Sequence, residues 1–207
     1  MQQQNTNQAL EKIEYLYTVY GQQHYEERCT QLQHAEQCGT LALQQGLDNE
    51  VALAAFLHDI GHFLAEDKQL PEQSAFGYAA HDQLGATFLA ECGFSEKMVY
   101  LVQEHVQVKR YLAKVETGYL DRLSHASTTT LKQQGGPMNA AEAQAYALTP
   151  HLDEIIKLRN IDDSGKQPEM VCKPLRYWLN LASHLLSQNP RRPPNRDNRQ
   201  QQHTDQI

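Results

Sequence analysis

Ala54-Ala55-Phe56-Leu57-His58-Asp59-Ile60-Gly61-His62 sets a histidine and a carboxylate directly behind an apolar run. Every residue from Val51 to Leu57 is apolar, the pattern of a helix buried on all sides. Gly61 is the expected stop, because glycine is favoured just past a helix end. A charged pair at the end of a buried helix is costly unless something compensates it, and a metal ion is the obvious compensation. More histidines lie around the pair: His34 before it, His62, His81 and His105 after it, with Asp162 near the end of the apolar pattern. These imidazoles and two carboxylates are too many ligands for one zinc ion. They suit two iron-class ions sharing a carboxylate, so a metal-dependent enzyme is the first reading. The competing reading is a set of satisfied core histidines with no common partner.

Helical spacing continues on both sides. Leu10, Ile13, Leu16, Tyr17 and Tyr20 share one helix face, and so do Leu32, Ala35, Cys38, Leu41 and Ala42 in a segment closed by Gly46. Leu84, Phe88 and Leu89 mark a helix ending near Gly93. Ser95 is the expected N-cap of a helix carrying Met98, Leu101, Val102 and His105. The pattern runs from Leu120 to Leu131 until Gly135-Gly136-Pro137 breaks it, and Ala140 to Leu158 predicts one or two helices. Pro174 opens a last helix whose apolar face is Leu175, Trp178, Leu179, Ala182 and Leu186. No stretch reads as a strand and no internal repeat is present. The expectation is therefore an all-α fold, one helical bundle over residues 1–188.

Composition narrows the function. The chain has 207 residues, is 40% hydrophobic and carries a net charge of −7. That size supports a single core. The acidic balance argues against nucleic acid as a partner, since phosphate contacts need a basic surface. No apolar run is long enough to span a membrane. The glutamine-rich start is unlike a secretory leader. Cys29, Cys38, Cys92 and Cys172 form no C-x-x-C pair, so a reduced, cytoplasmic setting is expected. Cys38, one turn after His34, reads as a small core residue or as a neighbour of the metals. Residues 189–207 are rich in Asn, Gln, Arg and Pro and are expected to be a disordered tail.

The chain contains two His-Asp dipeptides, His58-Asp59 and His81-Asp82, and only the first closes a buried helix. In the second, His81 is the expected ligand and Asp82 is expected to face solvent. A second group reads as an anion clamp. His62 is one turn beyond His58, Lys109 is four residues after His105 on the same face, and Arg159 precedes Asp162 by three. Ser127 adds a hydroxyl. Cations beside metal ligands are unfavourable unless an anionic substrate needs them. The alternative is that Lys109 and Arg159 pair with carboxylates behind the metal ligands. Arg110 is expected to be a solvated neighbour.

The stretch Ala-Phe-Leu-His-Asp-Ile-Gly-His resembles the signature of the HD-domain superfamily, an all-α fold of metal-dependent phosphohydrolases. Further stretches resemble one branch of it, the mixed-valence di-iron oxygenases. These are Thr30 to Cys38, His81, His105 to Tyr111 (HVQVKRY), Leu123 to Leu131 (LSHASTTTL), Gln134 to Met138 (QGGPM) and Leu158 to Asp163 (LRNIDD). The likeness covers about residues 25 to 180. It implies one iron on His34, His58, Asp59 and Asp162 and another on His81 and His105, with Asp59 bridging. It also implies that His62, Lys109, Ser127 and Arg159 hold phosphonate oxygens. Members of the branch have a tyrosine, and a glutamate three residues later, ahead of the first histidine ligand. Glu27 stands at the glutamate's distance, as the contact for a substrate amine or as a plain helix-start residue. Tyr25 lies only two residues before Glu27, and His24 occupies the usual tyrosine position.

What the resemblance implies about activity is O2-dependent chemistry at an Fe(II)/Fe(III) pair. Asp59, His62 and Lys109 stand closest to the reaction, and Tyr25, Glu27, His62, Lys109, Ser127 and Arg159 bind the substrate. The expected reaction cleaves the C–P bond of a small organophosphonate of the 1-hydroxy-2-aminoethylphosphonate type, giving phosphate and glycine or an N-methylated analogue. The alternative on the same fold is a metal-dependent phosphohydrolase acting on a phosphate ester or nucleotide. A third reading is a non-catalytic ligand sensor. A monomer or weak homodimer is expected.

Overall fold

Capping residues set where the helices begin. Thr30, Asp48, Ser95, Ser124 and Asn139 each accept a hydrogen bond from a backbone amide in the first turn that follows, and Thr30 and Asn139 complete reciprocal capping boxes. Each such cap contributes about 1 kcal/mol. The computed structural model describes residues 2–25, 27–71, 73–167 and 169–189. The tail expected from residue 189 lies, beyond that residue, outside them.

Among the described residues the chain is a succession of eleven helices. They are α1 (Gln2–Tyr20), α2 (Gln31–Gln44), α3 (Asn49–Leu57), α4 (Ile60–Asp67), α5 (His81–Cys92), α6 (Glu96–Val115), α7 (Tyr119–Arg122), α8 (His125–Gln133), α9 (Ala140–Tyr146), α10 (Leu152–Ser164) and α11 (Leu175–Gln188). The all-α expectation holds, with one departure. A small antiparallel hairpin, β1 (Gln73–Ser74) against β2 (Gly77–Tyr78), sits between α4 and α5. The segment Leu120–Leu131 is two helices, because Leu123 is extended and Ser124 caps α8. Among the described residues no helix is long and apolar enough to cross a membrane.

α3 is the centre of the molecule. Its residues Val51 to Leu57 are all buried, and it packs against α2, α6, α10 and α11. An aromatic stack anchors one side. Phe56 stacks on Tyr17 at 4.7 Å and on Trp178 at 5.1 Å between centroids, and the Tyr17 hydroxyl donates to the Phe56 carbonyl. Gly39 is required beneath Trp178, since a Cβ there would lie 2.4 Å from the indole.

Gly61 does not end α3. The chain turns at His58 and Asp59, a new helix begins at Ile60, and Gly61 lies inside α4. Glycine is needed there for packing. A Cβ would stand 1.8 Å from the carbonyl oxygen of His81, where α4 crosses the start of α5. That close crossing brings His81 toward Asp59.

Candidate metal centre

Five elements deliver the clustered side chains. α2 brings His34, the α3–α4 turn brings His58 and Asp59, the first turn of α5 brings His81, the middle of α6 brings His105, and α10 brings Asp162. All four histidines are buried, and so is Asp162. The structure therefore brings together all six of the metal ligands expected from the sequence.

Their orientation is fixed from behind. His58, His81 and His105 each direct Nδ1 at the carbonyl three residues earlier, of Ala55, Tyr78 and Val102, at 2.8, 2.8 and 2.6 Å. His34 directs Nδ1 at the Gly165 carbonyl at 2.8 Å. A carbonyl only accepts, so each Nδ1 carries the proton and each Nε2 is left with a lone pair. The four Nε2 atoms converge. Those of His34 and His58 are 3.3 Å apart, and those of His81 and His105 are 2.9 Å apart. Ring nitrogens so close need a shared proton or a metal ion between them. Bonds of about 2.1 Å to a shared ion would put neighbouring ligand atoms at about this spacing.

Asp59 stands between the two pairs. Its Oδ2 lies 3.3 Å from His58 and 3.7 Å from His34, while its Oδ1 lies 3.3 Å from His81 and 3.6 Å from His105. Asp162 Oδ1 joins the first pair, 3.2 Å from His34 and 3.7 Å from His58. Burial alone would raise the Asp59 carboxyl, yet His58 and the other imidazoles hold it well below the usual range. Burial alone would lower His58, but Asp59 and Asp162 push it up to about 10. Both shifts express one demand: this acidic, imidazole-lined space calls for positive charge.

His62 is different. Its Nδ1 accepts from the Tyr78 backbone amide at 2.9 Å, so the neutral ring carries its proton on Nε2. Its Nε2 lies 3.9 Å from Asp59 Oδ1, and the ring lines the cavity. Burial and the neighbouring His81 hold the ring neutral, well below its ordinary value. His62 is thus a hydrogen-bond donor and is unsuited to bind a metal through Nε2. It stacks on His81 at 3.8 Å.

The cavity beside the histidines is about 70 Å³ and is lined by Tyr25, Glu27, His62, Lys109, Ser127 and Arg159, every substrate contact expected from the sequence. Their engagements differ. Arg159 is committed to carboxylates, with Nη1 2.7 Å from Asp162 Oδ2, Asp163 bound through Nε and Nη2, and Nε also reaching the Tyr119 hydroxyl. It orients Asp162 from behind, as the alternative sequence reading allows. Lys109 behaves otherwise: its ammonium donates to the Thr130 hydroxyl at 3.0 Å. Burial first, and Arg159 next, lower its pKa to about 7.

Tyr25 lies in the left-handed region, at φ 42, uncommon for a bulky residue and costly by about 1–3 kcal/mol. Its ring lies 4.9 Å from that of His62 and its hydroxyl donates to Glu66 at 2.9 Å. His24 is exposed and does not line the cavity, so Tyr25 is the one placed at the site. Glu27 is half-buried rather than free, and its Oε1 accepts from Lys166 at 2.6 Å and from the Ser124 hydroxyl at 2.7 Å.

Several expectations change. Asp82 is buried, not solvent-facing, because α5 packs closely on both α4 and α6. Arg110 pins the loop after α8 through the Gly136 carbonyl and pairs with Glu142. Cys38 is buried, with its sulfur 3.7 Å from His34 Nδ1. Burial, then Asp162 and Asp59, push its thiol well up, so it stays neutral. Lys166 and Thr130 line the cavity without having been singled out, as does Phe76 on the hairpin. Lys166 stands two residues past the end of α10, and no pattern in the sequence marks it.

The HD domain family model matches residues 32–117. A [1-hydroxy-2-(trimethylamino)ethyl]phosphonate dioxygenase (glycine-betaine-forming) from Leisingera caerulea is 36% identical over 176 residues, 84% of this chain and 87% of that protein. A hydroxymethylphosphonate dioxygenase from Gimesia maris is 36% identical over 147 residues, 71% of this chain and 73% of that protein. An uncharacterized protein of Acanthamoeba polyphaga mimivirus is 32% identical over 189 residues, covering 89% and 86%.

Proposed function

The chain belongs to the HD-domain phosphonate oxygenases, and from that premise we propose that it uses two iron ions and O2 to cleave the C–P bond of a small 1-hydroxyphosphonate. The observation that carries the dinuclear reading is Asp59, with one carboxylate oxygen beside each histidine pair. The donor set fits the metal. Four neutral imidazole nitrogens and two carboxylates, with no thiolate, suit iron. One ion is assigned to His34, His58, Asp59 and Asp162, the other to Asp59, His81 and His105.

When bound, the ions would supply Lewis acidity toward the substrate oxygens and the redox chemistry of O2. The chain's own residues bind and orient. Among the described residues, Lys109 is the cation of the cavity with no carboxylate on its ammonium, so it is the natural partner for a phosphonate oxygen. His62 donates its Nε2 proton to a substrate oxygen, and the Ser127 and Thr130 hydroxyls complete the wall. Arg159 holds Asp162 in place. The balance is simple: a 1-hydroxyphosphonate and O2 give a carboxylic acid and phosphate. Carbon gains one oxygen atom and phosphorus the other, and the C–P bond is lost. The tail beyond C1 sets the product. An aminoethyl substrate gives glycine, a trimethylamino one glycine betaine, and hydroxymethylphosphonate formate. The four free cysteines suit a cytoplasmic setting.

Phosphate release from 1-hydroxyphosphonates by the iron-loaded protein tests the reading. Release should require O2 and consume one O2 per phosphate. Release without O2, from a simple phosphate ester, would favour the hydrolase instead.

A further inference from the structure

We propose that the ion pair between Glu27 and Lys166 selects a substrate whose tail beyond C1 carries no formal charge. This rests on the phosphonate reading above and names the substrate class more closely. The pair joins two segments distant in sequence, the loop before α2 and the chain just past α10. Lys166 Nζ lies 2.6 Å from Glu27 Oε1, 3.2 Å from the Ser127 hydroxyl and 3.3 Å from the Ser124 hydroxyl. Ser124 donates to the same Glu27 oxygen. The two side chains are only 16% and 15% exposed, and both line the cavity.

The cavity's charges therefore differ in availability. Among the described residues Lys109 has only a hydroxyl on its ammonium and can take an anion without breaking an ion pair. Glu27 and Lys166 are already matched. An ammonium tail that approached Glu27 would meet the Lys166 ammonium held against the same carboxylate. Displacing Lys166 would strand a cation with little access to water, which is unfavourable. A carboxylate tail meets the mirror problem at Glu27. An uncharged tail meets a wall of zero net charge and disturbs neither partner.

Calorimetric titration of the iron-loaded protein under anaerobic conditions tests this with three probes: ethylphosphonate, 2-aminoethylphosphonate and phosphonoacetate. Ethylphosphonate should bind about tenfold more tightly than either charged probe, the discrimination expected of one like-charge contact. Lys166→Met should unmask Glu27 and raise the affinity for 2-aminoethylphosphonate relative to ethylphosphonate by about tenfold. Glu27→Gln should do the opposite, improving phosphonoacetate and not the amine. Should Lys166→Met fail to fold, Glu27→Gln still decides, because its sign is distinct. Tighter binding of 2-aminoethylphosphonate than of ethylphosphonate by the unaltered protein would overturn the proposal. So would variants that leave the ratios unchanged. Binding of none of the three probes would overturn it as well, whereas absence of O2-dependent phosphate release from every 1-hydroxyphosphonate would remove the phosphonate reading itself, and the inference with it.

Discussion

Which ring nitrogen holds the proton separates the five histidines of the site. Four have Nδ1 tied to a backbone carbonyl and present a lone pair, whereas His62 has Nδ1 tied to a backbone amide and presents a proton. His81→Ala should therefore reduce bound iron from two ions per chain to one, while His62→Ala should keep both and raise KM for the phosphonate. Metal analysis beside steady-state kinetics checks this, and loss of iron in His62→Ala would refute the tautomer argument. Lys109 gives a pH dependence. With its pKa lowered to about 7 by burial and Arg159, it is charged below that pH and neutral above it. Anion binding should thus weaken as pH rises through about 7, seen as a falling kcat/KM. Lys109→Arg should move that limb out of range, because a guanidinium stays charged. At this scale the sequence was informative wherever a polar residue interrupted an apolar pattern, as at His34, His58, His81 and His105. It was silent on Lys166 and misleading on Asp82. Neither position interrupts a pattern, and only the packing of α5 and the path after α10 decides which way those side chains face.

Elements position these groups through close approaches. Gly61 lets α4 lie against the His81 carbonyl, so Gly61→Ala should destabilise the fold by about 1–3 kcal/mol, the usual cost of overpacking. Denaturant unfolding measures it, and a stability unchanged within error would contradict the packing argument. The hairpin acts on two histidines through Tyr78, whose amide donates to His62 and whose carbonyl accepts from His81. Gly77 has φ 87, and a Cβ there would stand 2.3 Å from His62 Nδ1, beside the bond from the Tyr78 amide. Gly77→Ala should disturb His62 directly and His81 through Tyr78, lowering kcat/KM and weakening the hold on the second iron. Helix starts were legible because capping chemistry is local, as at Ser95 and Ser124. The break between α3 and α4 was not, since Gly61 answers to α5, a partner some twenty residues away. The hairpin was missed because two residues per strand are too few to show alternation.

At the scale of the whole molecule, the site is the meeting point of α2, the α3–α4 turn, α5, α6 and α10. Their convergence gathers buried imidazole nitrogens and carboxylates that bound metal would satisfy, so metal should stabilise the fold by mass action. Chelation should lower the Tm, and restored iron should restore it. The all-α class followed from periodicity alone, but the relative placement of five helices is a property of the packed core. The central claim is that Asp59 joins two irons. Electron paramagnetic resonance of the iron-loaded, partly reduced protein tests it most directly. The account predicts the signal of a coupled Fe(II)/Fe(III) pair, lost in Asp59→Ala. An isolated ferric signal with one iron per chain would contradict it.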